Sequence, residues 1–247
     1  MSKRVIWLLF FIAIAGLIIR AYIISKGDSK ISQDAQGLIA RNRDRIIKVA
    51  RSNDIDPLAV AGVIAAELTL NYNYTDAAQD GYIKSLIQLQ NDEWLEHWVD
   101  NNEKLAQRAL ESRMKSNKWP ISLVTQGYIA SIGPAQITPR TSILACKAIH
   151  YASPPCTYSV KNMLTALLNE ESAVAMTGVV INYELVYAES KGLYQARRDI
   201  GLQGTLYSSG ADFYCNKYKD DPNAPHYNKI GHWIIDNQIA LRSLLDL

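Results

Sequence analysis

"NDIDPLAVAGVIAAELTLN", Asn53 to Asn71, decides the fold. Asp56 followed by Pro57 is an N-cap and first-turn pair, so a helix begins there. From Leu58 to Ala66 the residues are apolar on every side of a helical wheel, which describes a helix buried all round rather than one lying on a surface. The next residue, Glu67, is a carboxyl group in that apolar setting. Removal from water disfavours its charged form, so its pKa is expected to rise and the group to keep its proton near neutral pH. A core glutamate tied to an arginine or to backbone donors would account for the same pattern.

Outward from this helix the 3.6-residue period continues. Upstream, Leu38, Ile39, Ile46, Ile47 and Ala50 recur through "GLIARNRDRIIKVARS". Downstream, "SLIQLQNDEWLEHWV" and "KLAQRALESRMK" predict two helices in a polar elaboration. "TSILACKAIH", "NMLTALLNEESAVAMTGVVINYELVYAES" and the closing "HWIIDNQIALRSLLDL" keep the same period, and no alternating strand run or internal repeat is visible. The domain is expected to be mainly α. Trp94 and Trp98, at helical spacing, and Trp119 read as core residues, although rings in this region, like Tyr72 and Tyr74, could also stack on sugars. The four histidines are scattered, and none needs a catalytic role.

One stretch breaks the helical pattern. "IASIGPAQITPRTS", Ile129 to Ser142, places Gly133 and Pro134 where no helix can continue, and Pro139 and Thr141 restart one. Gln136 is expected to present an amide, donor and acceptor together, on the turn between them. That arrangement suits the hydroxyl and acetamido groups of a sugar. The same residues also describe a plain connecting loop.

The chain has 247 residues, enough for a sizeable core, and 26 Lys plus Arg against 24 Asp plus Glu. A formal charge of +2 without a basic run gives no reason to expect nucleic acid. The first 24 residues differ from the rest. After Lys3 and Arg4, the uncharged "VIWLLFFIAIAGLII" is followed by Arg20 and "AYII", which together reach spanning length if Arg20 snorkels. Residues 1–24 are read as a signal anchor contacting the bilayer through 5–24, 25–34 as a polar linker and 35–247 as the main domain. A cleaved signal peptide, with Ala13-Ile14-Ala15 as the processing site, competes with that reading. Cys146 and Cys156 lie ten residues apart, a spacing that a disulfide could close on an oxidising side of the membrane, with Cys215 left single. Cys146 and His150 lack the companions of a zinc site, so no metal and no cofactor is expected.

Taken together, three segments resemble the lytic transglycosylases of the lysozyme-like superfamily. Their motifs run roughly E-S-x-F, S-x-x-G-A-x-G-L-M-Q-I-x-P-x-T and A-x-Y-N-x-G. Here "ELTLN" starts at Glu67, "SIGPAQITPRT" covers Ser131 to Thr141, and "GTLYSSG" covers Gly204 to Gly210. The middle motif is the most specific. Leu68 replaces the serine after the glutamate, Pro134-Ala135 replaces Leu-Met, and Ser208 stands where Asn is usual. Glu67 and Ser131 are 64 positions apart, longer than the family spacing, so an inserted helical segment of about 75–125 is expected.

The resemblance implies a lysozyme-like fold and cleavage of the β-1,4 bond between N-acetylmuramic acid and N-acetylglucosamine in peptidoglycan. Glu67 would be the acid and base, Ser131 and Gln136 would line the sugar subsites, and Tyr207 would point toward the acid. Peptidoglycan as partner places the domain on the periplasmic side of the inner membrane, as a single-pass protein. Asp76, Asp80 and Asp212 stand in or near plausible loops as candidate second carboxylates, which would make the protein a hydrolytic muramidase instead. The same segments would also fit a phage-type endolysin, or a non-catalytic glycan-binding component of an envelope-spanning secretion machine.

Overall fold

The computed structural model describes residues 30–72, 74–116, 131–148, 156, 159–218 and 225–247, without the side chains of 74, 75, 103 and 106–116. The expected anchor at 5–24, Trp119, His150 and the end of the inserted segment lie outside the described residues. The protein is mainly helical, 80% by residue, with no strand among the described residues. Helix α1 spans Gln33–Ser52, opened by Ser32, whose hydroxyl accepts the Ala35 N–H at 3.3 Å. It buries Leu38, Ile39, Ile46 and Ala50, four of the five positions that its period marks.

Helix α2, Pro57–Ala66, begins as its sequence dictates, with the Asp56 carboxylate accepting the Leu58 N–H at 2.8 Å. Every residue from Leu58 to Ala66 is buried. The helix does not stop at Glu67. It widens into a π-helical turn, Glu67–Asn71, closed by the Tyr72 N–H donating to the Glu67 carbonyl at 2.8 Å. Such widened turns often sit at functional sites, because the extra residue changes which way the side chains leave the helix.

Two helices follow, α3 (Tyr74–Leu89) and α4 (Asp92–Ser116), in the region expected to be inserted. Helices α5 (Pro139–Ala148), α6 (Val160–Leu168) and α7 (Glu170–Ser190) come next, then α8 (Ile200–Ser209), α9 (Ala211–Lys217), α10 (Lys229–Asp236) and α11 (Gln238–Leu245). Ile31–Leu247 forms one unit by its contacts. In it, α2 is packed by α1, α7, α8, α10 and α11, which explains why no side of α2 carries a polar residue. Helices α8 and α10 approach closely through glycine: a Cβ on Gly231 would stand 2.4 Å from the Gly201 carbonyl oxygen.

Helices α3 and α4 pack against α6. The Asp92 carboxylate fixes the join by accepting the Ser159 hydroxyl at 3.0 Å and the Lys161 N–H at 2.7 Å. Leu95 and Val99 of α4 point inward and are buried. Trp94 is one residue off that face, about 100° around the helix, and is 40% exposed, which corrects the expectation that it is core. Trp98 is half-buried against the core, as expected. Cys146 and Cys156 form a disulfide with their Cα atoms 5.5 Å apart, and Cys215 is free. No single described helix is long and apolar enough to cross a membrane.

Candidate functional site

Glu67 is the first polar side chain after nine buried residues of α2, and it is itself 5% exposed. Burial pushes its carboxyl up to about 7. The Asn71 amide, one turn on, opposes this by donating to Oε2 at 2.6 Å. Two charges act from further off: Asp76 raises the pKa, and Lys229, exposed at the start of α10, lowers it. No salt bridge holds Glu67 among the described residues. The group therefore sits where small changes in surroundings move its proton, the property required of a general acid that must later act as a base.

The glycine-proline stretch folds into a tight turn. Ile132 and Ile137 exchange both backbone hydrogen bonds, at 2.9 and 3.2 Å, and the Gln136 N–H donates to the Gly133 carbonyl at 3.0 Å. Gly133 has φ +69°, and an added Cβ would lie 1.9 Å from the Leu167 carbonyl oxygen, so this position requires glycine. Gln136 also has a left-handed backbone, φ +52°. Left-handed glutamine costs energy that the surrounding bonds must offset. Its side chain folds back on the turn: Oε1 accepts the Ser131 hydroxyl at 2.6 Å, and Nε2 donates to the Gly133 carbonyl at 2.9 Å. The sequence suggested an amide displayed to solvent; the observed amide is half-buried and bonded within its own turn.

Tyr207, on α8, reaches the same turn. Its hydroxyl donates to the Ala135 carbonyl at 2.6 Å, and Thr177 of α7, whose own hydroxyl donates to the Ala173 carbonyl at 2.9 Å, also acts on it. Burial, then the charge of nearby Glu67, hold its pKa well above the ordinary tyrosine value, with Thr177 acting the other way. Tyr207 is thus bonded to the turn and feels the charge of Glu67, while Ser131 and Gln136 are brought together by a direct bond. Next to Tyr207, Ser208 accepts from Asn228 Nδ2 at 2.6 Å, and Ser209 accepts from the same amide at 2.8 Å. An amide from the α10 cap therefore meets the serine that stands at the motif's usual asparagine.

The three aspartates have separate settings. Asp76 acts electrostatically on Glu67. Asp80 is 8% exposed and accepts two hydrogen bonds, from the Tyr72 hydroxyl at 3.1 Å and the Gly133 N–H at 3.0 Å. Asp212 lies with α7 and α9, where it accepts from the Tyr187 hydroxyl at 2.5 Å. Its charge acts there on a second buried carboxyl, Glu184, which burial pushes up to about 7 while the Ala211 N–H, donating at 2.6 Å, opposes that rise. No group of three or more metal-ligating side chains occurs among the described residues.

Some of this was readable and some was not. Asn71 is four residues from Glu67, the spacing at which helical side chains meet. Asp80, Thr177 and Lys229 carry no local signature, because their roles come from tertiary contacts. No protein-family model, no curated protein and no solved structure matches this chain.

Proposed function

We propose that the protein is a membrane-anchored peptidoglycan lytic transglycosylase, with its helical domain on the periplasmic side and a lysozyme-like arrangement of helices. The observation that carries this reading is Glu67, a buried carboxyl without an ion-pair partner among the described residues, whose charge reaches Tyr207, the residue that holds the Ala135 carbonyl of the turn. A disulfide between Cys146 and Cys156 suits the oxidising side of the membrane.

In this mechanism protonated Glu67 gives its proton to the oxygen of the β-1,4 bond as the bond to C1 of the muramic acid breaks. The resulting carboxylate is stabilised by the Asn71 side-chain amide, through Nδ2, and by the Lys229 charge. It then takes the proton of the same sugar's C6 hydroxyl, whose oxygen closes on C1 to give a 1,6-anhydro product. A single carboxylate suffices, since the substrate supplies the nucleophile. Asp76 favours a second reading: its charge reaches Glu67, so a water activated between the two would make the reaction a hydrolysis.

Mass spectrometry of fragments released from intact sacculi by the full chain in detergent separates these outcomes. Anhydro-muramyl ends support the lyase, and reducing ends the hydrolase. If the wild-type chain binds sacculi without releasing fragments, the catalytic reading is lost to a glycan-binding one.

A further inference from the structure

We propose that Asp80 is a positioning residue, a buried brace on α3 that sets the spacing between the turn bearing Glu67 and the turn bearing Gln136. The inference rests on the functional reading above and deepens it. Tyr72, whose N–H closes the Glu67 turn at 2.8 Å, gives its hydroxyl to Asp80 Oδ2 at 3.1 Å. The other oxygen, Oδ1, accepts the Gly133 N–H at 3.0 Å. The preceding residue on α3 joins the same grip: Gln79 Nε2 donates to the Ser131 carbonyl at 2.7 Å.

These bonds hold the glutamine-bearing turn from one side. The Leu167 carbonyl presses on Gly133, and Tyr207 holds the Ala135 carbonyl. The inserted helix is therefore a part of the site's frame. Removing the Asp80 carboxylate leaves the Gly133 N–H buried without an acceptor, a loss that costs more than the bond itself contributes. The turn then has reason to move. A displacement of about 1 Å in a group that positions substrate can lower turnover on the order of 100-fold.

The arrangement also predicts which replacement restores it. Asparagine can keep Oδ1 toward Gly133 and turn its Nδ2 toward Tyr72, whose hydroxyl is able to accept as well as donate. Phenylalanine at 72 removes that second partner. A carboxylate acting in the chemistry itself would not tolerate the amide.

The test compares Asp80→Ala, Asp80→Asn and Asp80→Asn/Tyr72→Phe in the full chain in detergent, using sacculi as substrate and amide hydrogen exchange at Gly133. Asp80→Ala is expected to lower kcat/KM at least tenfold, to unprotect the Gly133 amide and to leave the pH midpoint of activity unchanged. Asp80→Asn is expected within about threefold of wild type with the amide protected, and the double variant between the two. Loss of turnover in Asp80→Asn with the amide still protected would overturn the proposal in favour of a chemical role. Unchanged Gly133 protection in Asp80→Ala, or lost protection with unchanged kcat/KM, would also overturn it. A wild-type chain inert toward sacculi would instead refute the functional reading; amide exchange still decides whether the brace exists.

Discussion

The Tyr207 hydroxyl donates to the Ala135 carbonyl at 2.6 Å, joining two segments 72 positions apart, and the same ring lies within reach of the Glu67 charge. This contact connects the third segment of the sequence resemblance to the second. Tyr207→Phe keeps the ring and deletes the bond. It is expected to cost about 1 kcal/mol of stability, measured by urea unfolding, and to lower turnover on sacculi at least tenfold. A variant with wild-type turnover would show that the contact is structural only.

The buried carboxyl predicts a definite pH dependence of stability. Between pH 4.5 and about 7 the unfolded chain gives up the Glu67 proton while the folded chain keeps it. The folded state binds more protons in that window, so stability falls as pH rises through it. Below pH 4.5 the contribution vanishes, and above about 7 the full penalty, roughly 3 kcal/mol, is present. Glu67→Gln removes this penalty. The stability of the variant relative to wild type is expected to improve by that order from pH 4.5 to pH 8, and equal differences at both pH values would contradict a raised pKa.

Gly133 and Gly192 both have left-handed backbones, but only Gly133 faces a neighbour that an added Cβ would strike. Gly192→Ala is expected to cost about 1 kcal/mol from backbone strain alone. Gly133→Ala should cost at least about 2 kcal/mol more, since the Leu167 carbonyl is backbone and cannot step aside cheaply. Thermal unfolding of the two variants measures the difference, and equal losses would mean that the turn is less confined than described.

The bond between Cys146 and Cys156 ties the end of α5 to a residue ten positions further on. Replacing both residues by serine is expected to cost about 2–3 kcal/mol through the freedom returned to the unfolded chain. Denaturant unfolding of the double variant against wild type checks this. An unchanged midpoint would indicate that the bridge contributes nothing to the stability of the fold.

How much of this was legible depends on whether the cause is local. The start of α2 was readable because Asp56 and Pro57 satisfy needs of their own helix end. The burial of α2 was readable because no side of the helix offers a polar residue. The burial of Glu67 followed from the same run. The Gly133 turn was visible as an interruption, yet the direction of the Gln136 amide was not, since its partners, Ser131 and the Gly133 carbonyl, meet it only once the turn has closed. Trp94 looked like core because it shares helical spacing with Trp98. Which stripe of α4 faces inward is decided by packing against α6, and that stripe carries Leu95 and Val99. Asp80 was singled out only as a candidate second carboxylate in or near a loop; it lies on α3 instead, and its two donors come from Tyr72 and from a turn more than fifty positions away.

The dependence of sacculus breakdown on pH, followed for the wild-type full chain and for Glu67→Gln, tests the central claim most directly. The account predicts that wild-type kcat/KM declines with a midpoint near 7 as Glu67 loses its proton, and that the variant releases no fragments at any pH. A wild-type rate that is level from pH 5 to pH 8, or a glutamine variant that still cuts the glycan, would contradict it.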